Sequence, residues 1–452
     1  MLINDDMADR KEIMGSWKIG RVALAALMLG AMPAAAMAQT VAQPTDSAVA
    51  RFYGARQSAP LWFRPGATSD AAGQLVTILR RAQYEGFSGG PDLANEVDAA
   101  IRAAQSGDKA KVAAAERVLS SAWVRYVQAI STPTEGMIFG YLPARVPNGD
   151  RILYEAANAP SLGQHLQSVS NLNPIYAQLR DAAVLQAQTN GGVPDPRLLA
   201  NMDRVRSMPA SGRFVLVDAA NQRLWMYENG QPIDSMKVVV GKLETPTPLI
   251  SSMIHYATLN PYWNVPDSLV RKIVAAGYLK GGEKYLKLHG YQILSDWGPN
   301  PTIIPPSTID WKAVAAGNKI IRVRELPGPT NAMGKMKFSF PNVTNIFLHD
   351  TPQKELFAET QRTESNGCIR LEDAKRLGSW LLGRDPVTIT SEPEQFVKLP
   401  QGVPVYVTYL TATPSDGRIV YADDIYGRDH TSSRVAAAGG SAIAGSQATV
   451  TR

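Results

Sequence analysis

The chain has 452 residues and one cysteine, Cys368, so it can form no internal disulfide. Only 19% of its residues are charged and the formal net charge is +6. No block of consecutive Lys or Arg resembles a nucleic-acid-binding arm, and the mild basicity singles out no nucleic-acid partner. His, Cys, Asp and Glu form no group with metal-ligand spacing, so neither a metal nor a cofactor is called for. Beyond the amino terminus no run is long and apolar enough to cross a bilayer, which takes about 20 residues.

What is present begins with "MGSWKIGRVALAALMLGAMPAAAMAQ" from Met14. Lys18 and Arg21 precede an apolar run, Val22 to Met32, and Ala36-Met37-Ala38 supplies a small-x-small cleavage pattern. This predicts export, with cleavage after Ala38 and a mature chain from Gln39, and leaves the start codon open between Met1 and Met14. Export sharpens the question of the cysteine. An oxidising compartment favours paired cysteines or none, so a lone one there points to a reactive thiol.

Hydrophobic residues at 45% and the chain length predict a globular protein of two or three domains. Residues 39–49 read as a flexible leader. Residues 50–205 read as a helical domain. Leu75, Ile78, Leu79 and Ala82 share one helical face, as do Leu119, Trp123, Val127 and Ile130. Tyr53, Leu61, Trp62 and Phe63 are candidate core anchors. From Ser211 the texture turns to strands. "FVLV", "RLWMY" and "MKVVV" alternate, with Asn229-Gly230 as a hairpin turn. Residues 211–430 read as the second domain. Residues 431–452, rich in Ala, Ser and Gly, read as a disordered tail.

Cys368 lies in "TESNGCIR". Near its ordinary pKa a thiol is mostly protonated at neutral pH, so it needs a base or a cation beside it. His349, in "NIFLHD", stands where an apolar run gives out, nineteen residues earlier. Gly367 permits a tight turn and lets main-chain N–H groups face a developing oxyanion. Arg370 adds charge that could lower the thiol pKa or orient a substrate carboxylate. A lone cysteine is more often a small buried hydrophobe, and spacing alone marks only a candidate nucleophile.

The set "IFLHDTPQKELF…SNGCIRLEDA" resembles the catalytic signature of the L,D-transpeptidase (YkuD-type) family. It matches at His349, Ser365, Gly367, Cys368 and Arg370. "NPYWNVPDSL", "PGPTNAMGKMKFSFPN" and "DDIYGRD" extend the resemblance to the large periplasmic, YcbB-like branch. Asn366 departs from the His or Ser of many relatives, and no separate glycan-binding module is evident. The resemblance implies an α+β multidomain fold: a helical scaffold domain and a mostly β sandwich bearing an inserted cap or lid at 262–330. It implies that Cys368 is the nucleophile and His349 the general base and acid. Tyr262, Trp263, Trp297 and Asn366 would line the substrate cleft. The donor would be a peptidoglycan tetrapeptide stem, the acceptor a diaminopimelate amine, and carbapenems would be inhibitors. An L,D-carboxypeptidase or a non-catalytic wall-binding scaffold are the alternatives.

Overall fold

The computed structural model describes residues 44–64, 70–141, 146–386 and 392–429. The expected signal peptide and carboxy-terminal tail lie outside them.

Helices start where a side chain can take up orphan N–H groups. Asp70 accepts from Gly73 N–H at the head of α2 (Ala71–Arg81), and Asp108 from Lys111 N–H at the head of α4 (Lys109–Ile130). Asn148 and Ser161 do the same for α5 (Gly149–Asn158) and α6 (Leu162–Asn171). With α1 (Pro44–Ala55) and α3 (Gly90–Ala104), these helices enclose one apolar core that includes Tyr53, Leu61, Trp62, Leu75, Leu119 and Trp123. The helix at Pro44 corrects the expected leader, whose last residues are helical; Ala48 and Val49 bury an apolar face there. Glu116, only 3% exposed, accepts the backbone N–H groups of Leu61, Trp62 and Phe63 and the hydroxyl of Tyr53. That carboxylate fixes the irregular segment on which the Leu61–Trp62 anchors depend.

The helical region is not one unit. α7 (Pro174–Thr189) and α8 (Pro196–Val205) leave the first core and pack on the sheet of the second domain. Leu179, Leu198 and Met202 meet Phe214 and Leu216 of β2 (Phe214–Asp218) and Leu410. β2 is therefore buried on both faces, which is why its sequence runs apolar without alternation. A short strand, β1 (Ile138–Phe139), also reaches across from the helical region. It pairs in parallel with β5 (Ile250–Leu259).

β3 (Arg223–Glu228) and β4 (Gln231–Gly241) form the expected hairpin, with positive φ at both Asn229 and Gly230. The remaining strands of the sheet are β9 (Met336–Ser339), β10 (Phe347–His349), β12 (Ile369–Leu371) and β13 (Gln395–Thr408), with β11 (Thr363–Ser365) beside β4. They run in the order β5-β13-β2-β3-β4-β12-β10-β9, and β9 pairs again with β5. The two faces expected of a sandwich are thus joined at their edges around one core, in which Val215, Met226, Val238, Ile254, Phe338 and Leu348 are among the buried side chains. α12 (Ala374–Leu382) adds Leu377 and Leu381 to that core.

The cap enters between two neighbouring strands. β5 and β9 pair at Leu259 and Met336, and Asn260 N–H donates to Lys335 C=O at 3.0 Å. Residues 261–334 leave and return through this one gate. They form a three-stranded sheet, β6 (Trp263–Val265), β8 (Arg322–Glu325) and β7 (Tyr291–Leu294) in that order, with helical turns α9 (Asp267–Leu269), α10 (Ala276–Leu288) and α11 (Trp311–Ala316). Val270, Val274, Leu286, Ile293, Trp311 and Val323 belong to a separate small core. β14 (Ala412–Ser415) and β15 (Arg418–Tyr421) complete the fold as a hairpin against α7 and α8.

Candidate active site

Three adjacent strands align one row of side chains. Lys337 of β9 is opposite His349 of β10, and His349 is opposite Arg370 of β12. Leu348 and Ile369, one step back, are also opposite each other and turn into the core, each fully buried. Alternation then puts His349, Arg370 and the residue two before Arg370, Cys368, on one face. Cys368 immediately precedes β12; on ideal strand spacing, about 4.8 Å between strands and about 6.6 Å for two residues along one, its Cα would be a diagonal neighbour of His349 at about 8 Å.

His349 is 3% exposed and its Nδ1 lies 2.6 Å from the carbonyl oxygen of Asp350. A carbonyl only accepts, so Nδ1 carries the proton and Nε2 keeps its lone pair. The Asp350 carboxylate does not share in this. It takes Lys335 N–H and the Lys354 ammonium, and so holds the loop after β10. Burial, reinforced by the Arg370 and Lys337 charges, pushes the imidazole down to about 4, against the opposing pull of the Asp350 carbonyl. The ring is neutral at neutral pH.

Cys368 keeps part of its surface exposed, but its sulfur sits in desolvated surroundings beside the core. The sulfur is 3.8 Å from the Asn345 carbonyl. Burial pushes the thiol up to about 11; the Phe347 backbone N–H, Arg370 and Lys337 pull the other way and do not overcome it. The resting pair is therefore thiol and neutral imidazole, not thiolate and imidazolium.

The turn that presents Cys368 is held from several sides. Gly367 has φ +107°, a conformation that favours glycine, and a Cβ there would press on Ile346 Cδ1 at 3.0 Å. The expectation that its N–H serves an oxyanion is corrected: that N–H donates to Ser365 Oγ at 3.1 Å. Ser365, 2% exposed, donates in turn to the Cys368 carbonyl at 2.6 Å. Thr247, fully buried, donates to the Gly367 carbonyl at 2.9 Å and accepts Gly241 N–H at 2.9 Å. The Tyr426 hydroxyl donates to the Gly241 carbonyl. Arg370 donates to Gln353 Oε1 at 2.6 Å.

The other expected residues are less close-knit. Asn366 is exposed on the turn. Tyr262 donates its N–H to Glu394, which faces Lys337 at 3.9 Å, and Arg324 lies over its ring. It is thus two links from the row. Trp263 packs against the cap's own core, and Trp297 projects from the loop after β7, 49% exposed. Among the described residues, no hydrogen bond, ion pair or ring contact joins either tryptophan to Cys368 or His349. Lys337, Thr247 and Gln353 were not foreseen. "KMKFSF" carries the alternation of a strand, but nothing in it says which strand it joins.

Residues 212–389 match the L,D-transpeptidase catalytic domain of the YkuD family, and residues 47–182 match a Scaffold domain. A Haemophilus influenzae protein provisionally named an L,D-transpeptidase is 28% identical over 394 residues, covering 84% of this chain and 78% of its own. Among solved structures, an L,D-transpeptidase from Mycobacterium smegmatis matches at 12% identity and TM-score 0.22, over 44% of this chain and 60% of that one. The catalytic domain of the Enterococcus faecium L,D-transpeptidase matches at 16% identity and TM-score 0.18, over 44% and 97%. The structure of the Ldtfm–avibactam carbamoyl enzyme matches over 44% of this chain and about half, 49%, of its own. His349 and Cys368 both fall inside the family-matched segment, and the chain carries an L,D-transpeptidase catalytic domain of the YkuD family behind a scaffold domain.

Proposed function

We propose that the protein is an exported peptidoglycan L,D-transpeptidase in which Cys368 is the nucleophile and His349 the general base and acid. The observation that carries this reading is the shared row: an imidazole with Nε2 left free, on the strand beside a lone thiol presented by a glycine-dependent turn.

The substrate would be a tetrapeptide stem. The Cys368 sulfur attacks the carbonyl at the L-centre of diaminopimelate while Nε2 of His349 takes the thiol proton. Because the resting pair is neutral, proton transfer and attack are coupled rather than sequential. The oxyanion meets the Cys368 N–H, with the Arg370 and Lys337 charges nearby. The C–N bond to D-alanine breaks, and His349 returns the proton to the leaving amine. The thioester is then attacked by the side-chain amine of a second stem's diaminopimelate, whose proton passes to His349. The product is a diaminopimelate-to-diaminopimelate cross-link, with the thiol regenerated. Ser365 and Thr247 position the turn without touching substrate.

Carbapenems should acylate the same sulfur. The reading also places the mature chain in the periplasm; among the described residues no helix is long and apolar enough to cross a membrane. Incubating the protein with tetrapeptide tests the proposal, with products analysed by mass. A cross-linked dimer and free D-alanine support it. Tripeptide alone makes the enzyme a carboxypeptidase, and unchanged substrate removes both.

A further inference from the structure

The inserted module holds charge out of proportion to its size. Residues 260–335 contain ten Lys and Arg against five Asp and Glu, an excess of five beside +6 for the whole chain. On this module lies a hollow of about 220 Å³, lined by Asp267, Val270, Arg271, Val314, Lys319 and Ile321, with Gly317 and Ile320 at its edge. Val270, Val314 and Ile321 are buried members of the cap core and give it an apolar floor. Asp267, Arg271 and Lys319 are exposed around it. Among the described residues, none of these three side chains has a hydrogen-bond or ion-pair partner. Gly317 caps α11 in the left-handed region, φ +82°, and Arg271 Nη1 lies over it, 2.7 Å from where a Cβ would stand. No lining residue belongs to the strands that carry His349 or Cys368.

We propose that this hollow binds an aliphatic amino-acid zwitterion, the carboxylate against Arg271 and Lys319, the ammonium against Asp267, and the carbon chain on the apolar floor. A lone anion would leave Asp267 repelling it, and a lone cation would meet two positive groups. Only a ligand with both charges a few ångströms apart satisfies all three. Under the reading above, which this inference rests on for the source of its ligand, two such groups are at hand: the free amino-acid end of diaminopimelate on a stem, and released D-alanine.

Calorimetric titration of the full chain with meso-diaminopimelate and with D-alanine tests this, with D-alanine methyl ester and N-acetyl-D-alanine as single-charge controls. The zwitterions should bind and each control should bind at least tenfold more weakly. Amide resonances should shift at 267–271 and 314–321. Arg271→Ala with Lys319→Ala should weaken zwitterion binding at least tenfold. Tighter binding of meso-diaminopimelate than of D-alanine assigns the hollow to the stem, and equal binding assigns it to the released amino acid. Controls that bind as well as the zwitterions, or variants that bind unchanged, overturn the proposal. Carbapenem acylation of Cys368, measured on the same samples, separates the two claims. Acylation without zwitterion binding removes the hollow's role alone, and binding without acylation removes the catalytic reading alone.

Discussion

The pKa directions at the site give it a definite pH signature. His349 titrates at about 4 in the fold against an ordinary 6.5, and Cys368 at about 11 against 9.0. If neutral imidazole and thiol are the working pair, kcat/KM should fall on the acid side near pH 4, not near 6.5, and stay level past pH 9. A thiolate–imidazolium pair would give the opposite, with an acid limb set by the thiol and loss of activity as the imidazolium deprotonates. The same shift bears on stability. As pH falls, the unfolded chain takes up its proton first, so the contribution of His349 is full above about 6.5 and is lost between 6.5 and about 4, a few kcal/mol in all. Replacing His349 with Ala should flatten that part of the stability curve and lower turnover by about 10²–10⁴-fold. Ser365→Ala leaves the Gly367 N–H and the Cys368 carbonyl without their partner. Loss of about 1–3 kcal/mol by chemical denaturation is expected, and Ser365→Thr, which keeps the hydroxyl, should recover part of it. The lone thiol, the histidine and the glycine were legible in sequence because each residue type has a chemical reason to be there. The Gly367 N–H was misjudged because its partner, Ser365 Oγ, is two residues away and its use depends on a rotamer that no spacing reveals.

At the scale of elements, long amphipathic helices and the Asn229-Gly230 hairpin were readable because a period of 3.6 or 2, or a turn needing positive φ twice, is written locally. The row of Lys337, His349 and Arg370 was not, because it joins three strands whose register is set by long-range pairing. The cap's gate was equally hidden: β5 and β9 are neighbours although the paired Leu259 and Met336 are 77 positions apart in the chain. That gate allows an excision. Replacing residues 261–334 with Asn-Gly should leave β5 and β9 paired and the barrel folded, judged by near-UV circular dichroism. If the module shields the thioester from water, carbapenem acylation should persist while cross-linking is lost in favour of hydrolysis. A protein that still cross-links at the original rate would show that the module has no part in acceptor choice.

Over the whole molecule, the expected division into a helical and a strand domain is visible, but the seam lies elsewhere. The periodicity of α7 and α8 announces helices and does not say which core they serve. Leu179 and Met202 turn out to pack on β2. The seam is pinned by a buried ion pair. Arg204 of α8 donates to Asp429 at 2.9 Å and to the Tyr409 carbonyl, and Asp429 also takes the Thr411 hydroxyl. Asp429→Ala strands a cation that is 5% exposed and should cost about 3–5 kcal/mol, measured by denaturant unfolding. The helical core has its own keystone. Glu116→Ala removes the acceptor of three backbone N–H groups at Leu61, Trp62 and Phe63, and the helical domain should then melt first while the strand domain keeps its transition.

The claim on which the account turns is that the sulfur of Cys368 becomes acylated by a stem peptide. Rapid quenching of the enzyme with tetrapeptide, followed by intact-mass measurement and peptide mapping, tests it directly. The account predicts an adduct equal to the donor less D-alanine, mapped to the peptide holding Cys368 and absent from Cys368→Ala. An adduct that survives in Cys368→Ala, or cross-linking by that variant, would contradict it.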